Sequence, residues 1–163
     1  MRKHLLFIIL SLLLCTPMSA QLLLSDSAKI YLLTCTPGTE VWSKYGHTGI
    51  RVLDQVNQLD IVFNYGIFSL MEDGFYLKFI KGDTYYQLGI EPYNYFLRFY
   101  KRIGRTTYLQ ELNLTPAQKQ QVFDALMVNY QPENRVYHYN FVFDNCATRP
   151  YHLLKQAGLN VGL

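Results

Sequence analysis

Only three cysteines occur in 163 residues, and no Cys or His pair stands at zinc-binding spacing, so neither a metal nor any other cofactor is expected. A Gly-x-Ser-x-Gly elbow and a glycine-rich phosphate loop are both missing, which argues against serine-hydrolase and P-loop chemistry. Charged residues make up 17 % of the chain and the formal charge is only +3, with no basic arm or patch. Nucleic acid is therefore not an expected partner. Internal repeats and low-complexity tracts are absent, and the apolar run Leu5 to Leu14, broken only by Ser11, is too short to span a bilayer well.

That run has another reading. Arg2-Lys3 supplies a short positive region, Leu5 to Leu14 an apolar one, and Pro17-Met18-Ser19-Ala20 small residues for cleavage, best after Ala20. Residues 1–20 are expected to be a signal peptide and residues 21–163 one exported, periplasmic domain. Leu14 directly before Cys15 argues against a lipobox. Removing Arg2 and Lys3 leaves 13 basic against 12 acidic residues, close to neutral. Half the chain is hydrophobic, with 14 Tyr and 10 Phe, enough for a real core.

Export leaves Cys35 and Cys146. One alternative joins them in a disulfide worth roughly 4–5 kcal/mol for so long a loop. Against it, Cys35 lies in an apolar run, Ile30 to Cys35, that looks like a buried strand, while Cys146 has the surroundings of a reactive thiol. It follows Asp144-Asn145 at the expected start of a helix running to Ala157, where free N–H groups and the helix dipole favour a thiolate. Pro150 conflicts with a helix that begins so early. Asp144 and Asn145 read more readily as helix caps than as catalytic groups. Arg149 suits either an anionic head group or a pairing with Asp144. His138 and His152 have no metal-like neighbours.

The Tyr45-Gly46-His47-Thr48-Gly49 segment opens a hairpin: one strand from Gly46 to Leu53, a loop over 54–57, and a second strand from Leu59 to Tyr65. A register with paired numbers summing to 111 sets Ile50 opposite Ile61, Arg51 opposite Asp60 and His47 opposite Asn64. His47 then becomes a candidate base and Asn64 its orienting amide, with Cys146 as nucleophile and its own N–H as oxyanion donor. Elsewhere, Thr84 to Ile90 and Arg105 to Leu112 read as strands, and Val136 to Phe143 alternates as another. Met71 to Lys81 is ambiguous. Pro92 opens a helix with a Tyr93, Phe96, Leu97, Tyr100, Ile103 stripe and an Arg98, Lys101, Arg102 edge, more often ordinary packing than a membrane surface, though an enzyme acting on lipid would need such a surface. Thr115-Pro116 caps a helix to about Asn129. The fold class is α+β, rich in antiparallel sheet.

The strings LLTCTPGTEVWSKYGHTGIRV, FNYGIF, FYLKFIKG, LNLTPAQ and YHYNFVFDNCATRPYHLL together resemble the N-terminal periplasmic domain of bacterial lipoprotein N-acyltransferases, over most of the chain from Ser25 to Leu159. The resemblance implies a circularly permuted papain-like fold of NlpC type, related to lecithin:retinol acyltransferase, with an antiparallel sheet and a nucleophile-bearing helix. It implies that Cys146 takes an acyl chain from a phospholipid donor as a thioester, with His47 as base, and passes it to the N-terminal amine of a lipoprotein acceptor. Tyr45, Asn145 and Arg149 are the candidates for holding substrate, and a membrane surface is an expected partner. Family members usually continue into membrane-spanning segments beyond such a domain, so thioester formation or hydrolysis is the safer expectation for this stretch. The alternatives are a cysteine peptidase or amidase acting on cell-wall peptide, and a non-enzymatic envelope binding domain with a Cys35–Cys146 disulfide.

Overall fold

The hairpin that carries His47 is the centre of the sheet. In the computed structural model, which describes residues 22–69 and 74–159, strands β1 (Lys29–Cys35), β2 (His47–Asp54), β3 (Leu59–Ile67), β4 (Thr84–Pro92), β5 (Thr107–Glu111) and β6 (Val136–Tyr139) form one sheet. Its order is β5-β1-β2-β3-β4-β6, and every pairing is antiparallel. Four α-helices, α1 (Phe75–Lys81), α2 (Tyr93–Arg102), α3 (Pro116–Tyr130) and α4 (Thr148–Gln156), and one short 3-10 turn, Val41–Ser43, complete the elements of the described residues. The α+β, antiparallel expectation holds. The expected signal segment lies outside the described residues.

Strand alternation sorts the apolar side chains to two faces. Ile30, Ile50, Val52, Phe63 and Tyr65 point to one side, where Val122, Phe123 and Leu126 of α3 and Leu153 and Leu154 of α4 cover them. Leu33, Cys35 and Val62 point to the other, under Phe96 and Tyr100 of α2. A sheet covered on both faces explains why β1 reads as a near-continuous apolar run. Helix α3 starts as expected: Thr115 Oγ1 accepts from the Gln118 N–H and the Gln118 side chain accepts from the Thr115 N–H, with Pro116 first in the helix.

Four expectations need correction. The β2–β3 register sums to 113, pairing Gly49 with Asn64, Ile50 with Phe63 and Leu53 with Asp60. The loop is therefore 55–58, not 54–57: Asp54 still pairs with Leu59, its carboxylate accepts from the N–H groups of Val56 and Asn57, and Gln58 closes the turn at φ 53°. A shift of two residues keeps every side chain on its face. Second, Pro92 belongs to β4 and precedes α2 rather than opening it. Third, β6 ends at Tyr139 instead of Phe143, because Asn140 Oδ1 captures the N–H groups of Val142 and Phe143 and turns the chain. Finally, α4 begins at Thr148 rather than Cys146. Asn145 Oδ1 accepts from the Ala147 and Thr148 N–H groups, which holds Cys146 in a turn ahead of the helix and places Pro150 within the first turn, where no N–H is needed.

Candidate functional site

His47 is the first residue of β2, and Asn64 on β3 is its diagonal neighbour across the hairpin. The imidazole Nε2 lies 2.8 Å from Asn64 Oδ1. The amide is itself oriented from two sides, since Oδ1 also accepts from the Gly66 N–H at 2.9 Å and Nδ2 donates to Glu91 Oε1 at 3.0 Å. With Oδ1 fixed as the acceptor, Nε2 must carry the ring proton, and Nδ1 is left as the basic nitrogen. Gly66 makes the fit possible. A β-carbon there would sit 2.4 Å from His47 Cε1, and the β3–β4 register shifts at this point to let the backbone pass. Gly46, at φ +81°, leaves no room for a side chain either, because a β-carbon would lie 2.7 Å from the Cys35 carbonyl oxygen. On its far side the imidazole stacks on Tyr100 of α2, centroids 6.1 Å apart.

Cys146 is partly buried in the turn before α4. Its sulfur faces the backbone N–H of Thr48, the residue after His47, as well as its own N–H, and both favour the thiolate. No hydrogen bond joins the sulfur to the imidazole directly; Thr48 links the two halves of the site. Cys35 and Cys146 are both free thiols.

Burial works against charge on both members of the pair. It pushes the Cys146 thiol above its ordinary value, opposed by the two N–H groups and by Arg105. It also pushes His47 down to about 4, against the Asn64 hydrogen bond, and Arg105 lowers it further. The helix-start position alone therefore does not leave a resting thiolate: the pair rests as thiol and neutral imidazole. Such an arrangement suits proton transfer to Nδ1 as the sulfur attacks, rather than a preformed ion pair.

The three candidate substrate residues fall in different settings. Arg149 pairs with Asp144 through two bonds, 2.6 and 2.8 Å, and lies over the Tyr137 ring. Asn145 is buried and uses both ends of its amide on the turn, with Nδ2 donating to the Phe141 carbonyl. Tyr45 is exposed, its ring against Phe141 at 4.4 Å. Among the described residues no group of three His, Cys, Asp or Glu side chains could hold a metal. His138 instead pairs with Asp83. Sequence reasoning passed over Thr48, Gly66, Glu91 and Arg105 as parts of the site. Only Gly66 left a local signal, as the glycine two residues after Asn64.

A central antiparallel sheet that presents an amide-oriented imidazole, with a partly buried thiol reaching the same strand at Thr48, defines a candidate cysteine–histidine site on an α+β scaffold. The model of one family, described as the Lnb N-terminal periplasmic domain, matches residues 20–162, and the chain belongs to that family. No curated protein and no solved structure matches it. The family is a periplasmic one, and no helix among the described residues is long and apolar enough to cross a membrane.

Proposed function

We propose that this domain catalyses thiol-dependent acyl transfer, on a circularly permuted papain-like arrangement in which the histidine strand precedes the cysteine turn. Cys146 is the nucleophile, His47 Nδ1 the base, and Asn64 the group that orients it. The sulfur attacks the carbonyl carbon of a phospholipid ester as its proton passes to His47 Nδ1. The C–O bond breaks, the proton goes to the departing alkoxide, and the products are a lysophospholipid and a Cys146 thioester. The N-terminal amine of a lipoprotein then attacks the thioester, forming an amide and returning the thiol. In this reading the backbone N–H groups of Cys146 and Thr48, which serve the sulfur in the resting site, become the donors to the oxyanion.

One observation carries this reading: the Asn64–His47 hydrogen bond, which leaves the basic nitrogen free while Thr48 brings the sulfur to the same strand. The outward face of α2 adds support. Tyr95, Leu97, Phe99 and Ile103 are exposed there beside Arg98, Lys101 and Arg102, a composition suited to a lipid surface. The membership in a periplasmic family agrees with a donor taken from an envelope membrane.

Mass spectrometry after incubation with phospholipid vesicles tests the proposal. A hydroxylamine-labile fatty-acyl adduct on the Cys146 peptide is expected, absent in Cys146→Ala and strongly reduced in His47→Ala. An unmodified thiol that nonetheless supports cleavage of cell-wall peptides would replace acyl transfer with a peptidase. A Cys35–Cys146 disulfide in the exported protein would remove the enzyme altogether.

A further inference from the structure

Arg105 follows α2 and is clamped in place. Its backbone N–H bonds to the Tyr100 carbonyl at 2.9 Å, Nε donates to the Thr36 carbonyl at 2.6 Å, and the guanidinium carbon lies 4.9 Å from the Tyr100 ring centre. Tyr100 is the ring on which His47 stacks, and Thr36 follows Cys35, the partner of His47 across the sheet. The guanidinium therefore lies at the end of β1 and β2 that holds the candidate pair. Its Nη2 is fully buried with no hydrogen-bond partner, and no carboxylate pairs with it among the described residues. A guanidinium nitrogen buried without a partner is costly, whereas Arg51 and Arg149 each have a carboxylate.

We infer that Arg105 is the standing counter-charge of the Cys146 thiolate, a positioning residue that acts through its field rather than by contact with substrate. The inference rests on Cys146 working as a thiolate. The other titratable groups facing the sulfur carry no charge at neutral pH: the phenols of Tyr86, Tyr100, Tyr137 and Tyr139 are pushed up by burial, and so is the Cys35 thiol. His47 is neutral, Arg149 is matched by Asp144, and Glu91 is held on the far side of Asn64. Among the described residues around the sulfur, Arg105 is thus the unmatched positive charge at the moment the sulfur becomes negative.

The experiment is the pH dependence of iodoacetamide alkylation at Cys146 in the full chain, followed on its own peptide by mass spectrometry, with folding checked by cooperative thermal unfolding. Arg105→Met is expected to move the midpoint up by about one pH unit, a roughly tenfold slower alkylation below it. Arg105→Lys should restore most of the rate. Arg105→Gln, which keeps an amide donor for the Thr36 carbonyl, should behave like Met and replaces it if the Met variant does not fold. Superimposable profiles would overturn the inference, as would equal shifts in the Lys and Met variants, which would assign the effect to packing. Because alkylation needs no lipid, a shifted profile without an acyl adduct would keep this inference and defeat the transfer reading. An adduct with unshifted profiles would do the reverse.

Discussion

The two ends of the β2–β3 hairpin each bury a polar side chain, and the two use it differently. Asp54, at the turn, is fully buried and accepts hydrogen bonds from Ser25 N and Oγ, from the Val56 and Asn57 backbone and from Asn57 Nδ2. Although burial alone would raise it, those bonds bring its carboxyl down to about 2. At the open end, Asn64 is as well satisfied, by Gly66, Glu91 and His47, yet the imidazole it holds keeps one nitrogen free of side-chain partners among the described residues. Saturation at the turn fixes the chain. Incomplete saturation at the open end leaves a basic nitrogen available for chemistry.

The sharpest break in that symmetry is His47→Ala, which should slow Cys146 acylation by about a hundredfold to ten-thousandfold with a much smaller effect on the melting temperature. Asp54→Ala should do the opposite. Stranding the Ser25, Val56 and Asn57 N–H groups costs about 3 kcal/mol, seen as a drop of roughly 10 °C in Tm with acylation per folded molecule unaltered. Gly66→Ala lies between them: its methyl group displaces the imidazole, and a rate loss of roughly a hundredfold is expected with modest destabilisation.

The smallest effect is in pH. His47 titrates near 4 in the fold but near 6.5 in the unfolded chain, so acid favours unfolding. The stability it contributes is complete above pH 6.5 and is lost as pH falls toward 4, by roughly 2 kcal/mol for a partly exposed ring. Urea unfolding of the parent against His47→Gln should show the difference in that window and not between pH 7 and 8. Asp54 acts lower, with its contribution lost between about 4 and 2.

Much of this comparison was legible in the sequence, because β-structure repeats every two residues. The expected hairpin register was two residues out, yet Arg51 still reaches Asp60 at 2.7 Å and His47 still reaches Asn64, now as diagonal contacts. What misled the register was turn chemistry: Asp54 capping its own loop and Gln58 at positive φ add a closing residue that alternation does not reveal. The start of α4 was missed for a related reason, since Asn145 serves Ala147 and Thr148 two and three residues ahead rather than a helix that includes Cys146. Arg105 could not be seen, because its partners Thr36, Tyr100 and the candidate pair come together only when α2 crosses the sheet. The family itself was readable from the ordered strings around His47 and Cys146, and the match over residues 20–162 bears it out.

The central claim is that the fold holds His47 as a neutral ring protonated on Nε2 with Nδ1 basic. Nitrogen-15 NMR of the histidine-labelled protein, with His47 assigned through His47→Gln, measures this directly. The account predicts a protonated Nε2 and an unprotonated Nδ1 at pH 7, unchanged until the pH approaches 4. A ring protonated on Nδ1, or one that titrates near 6.5, would contradict it.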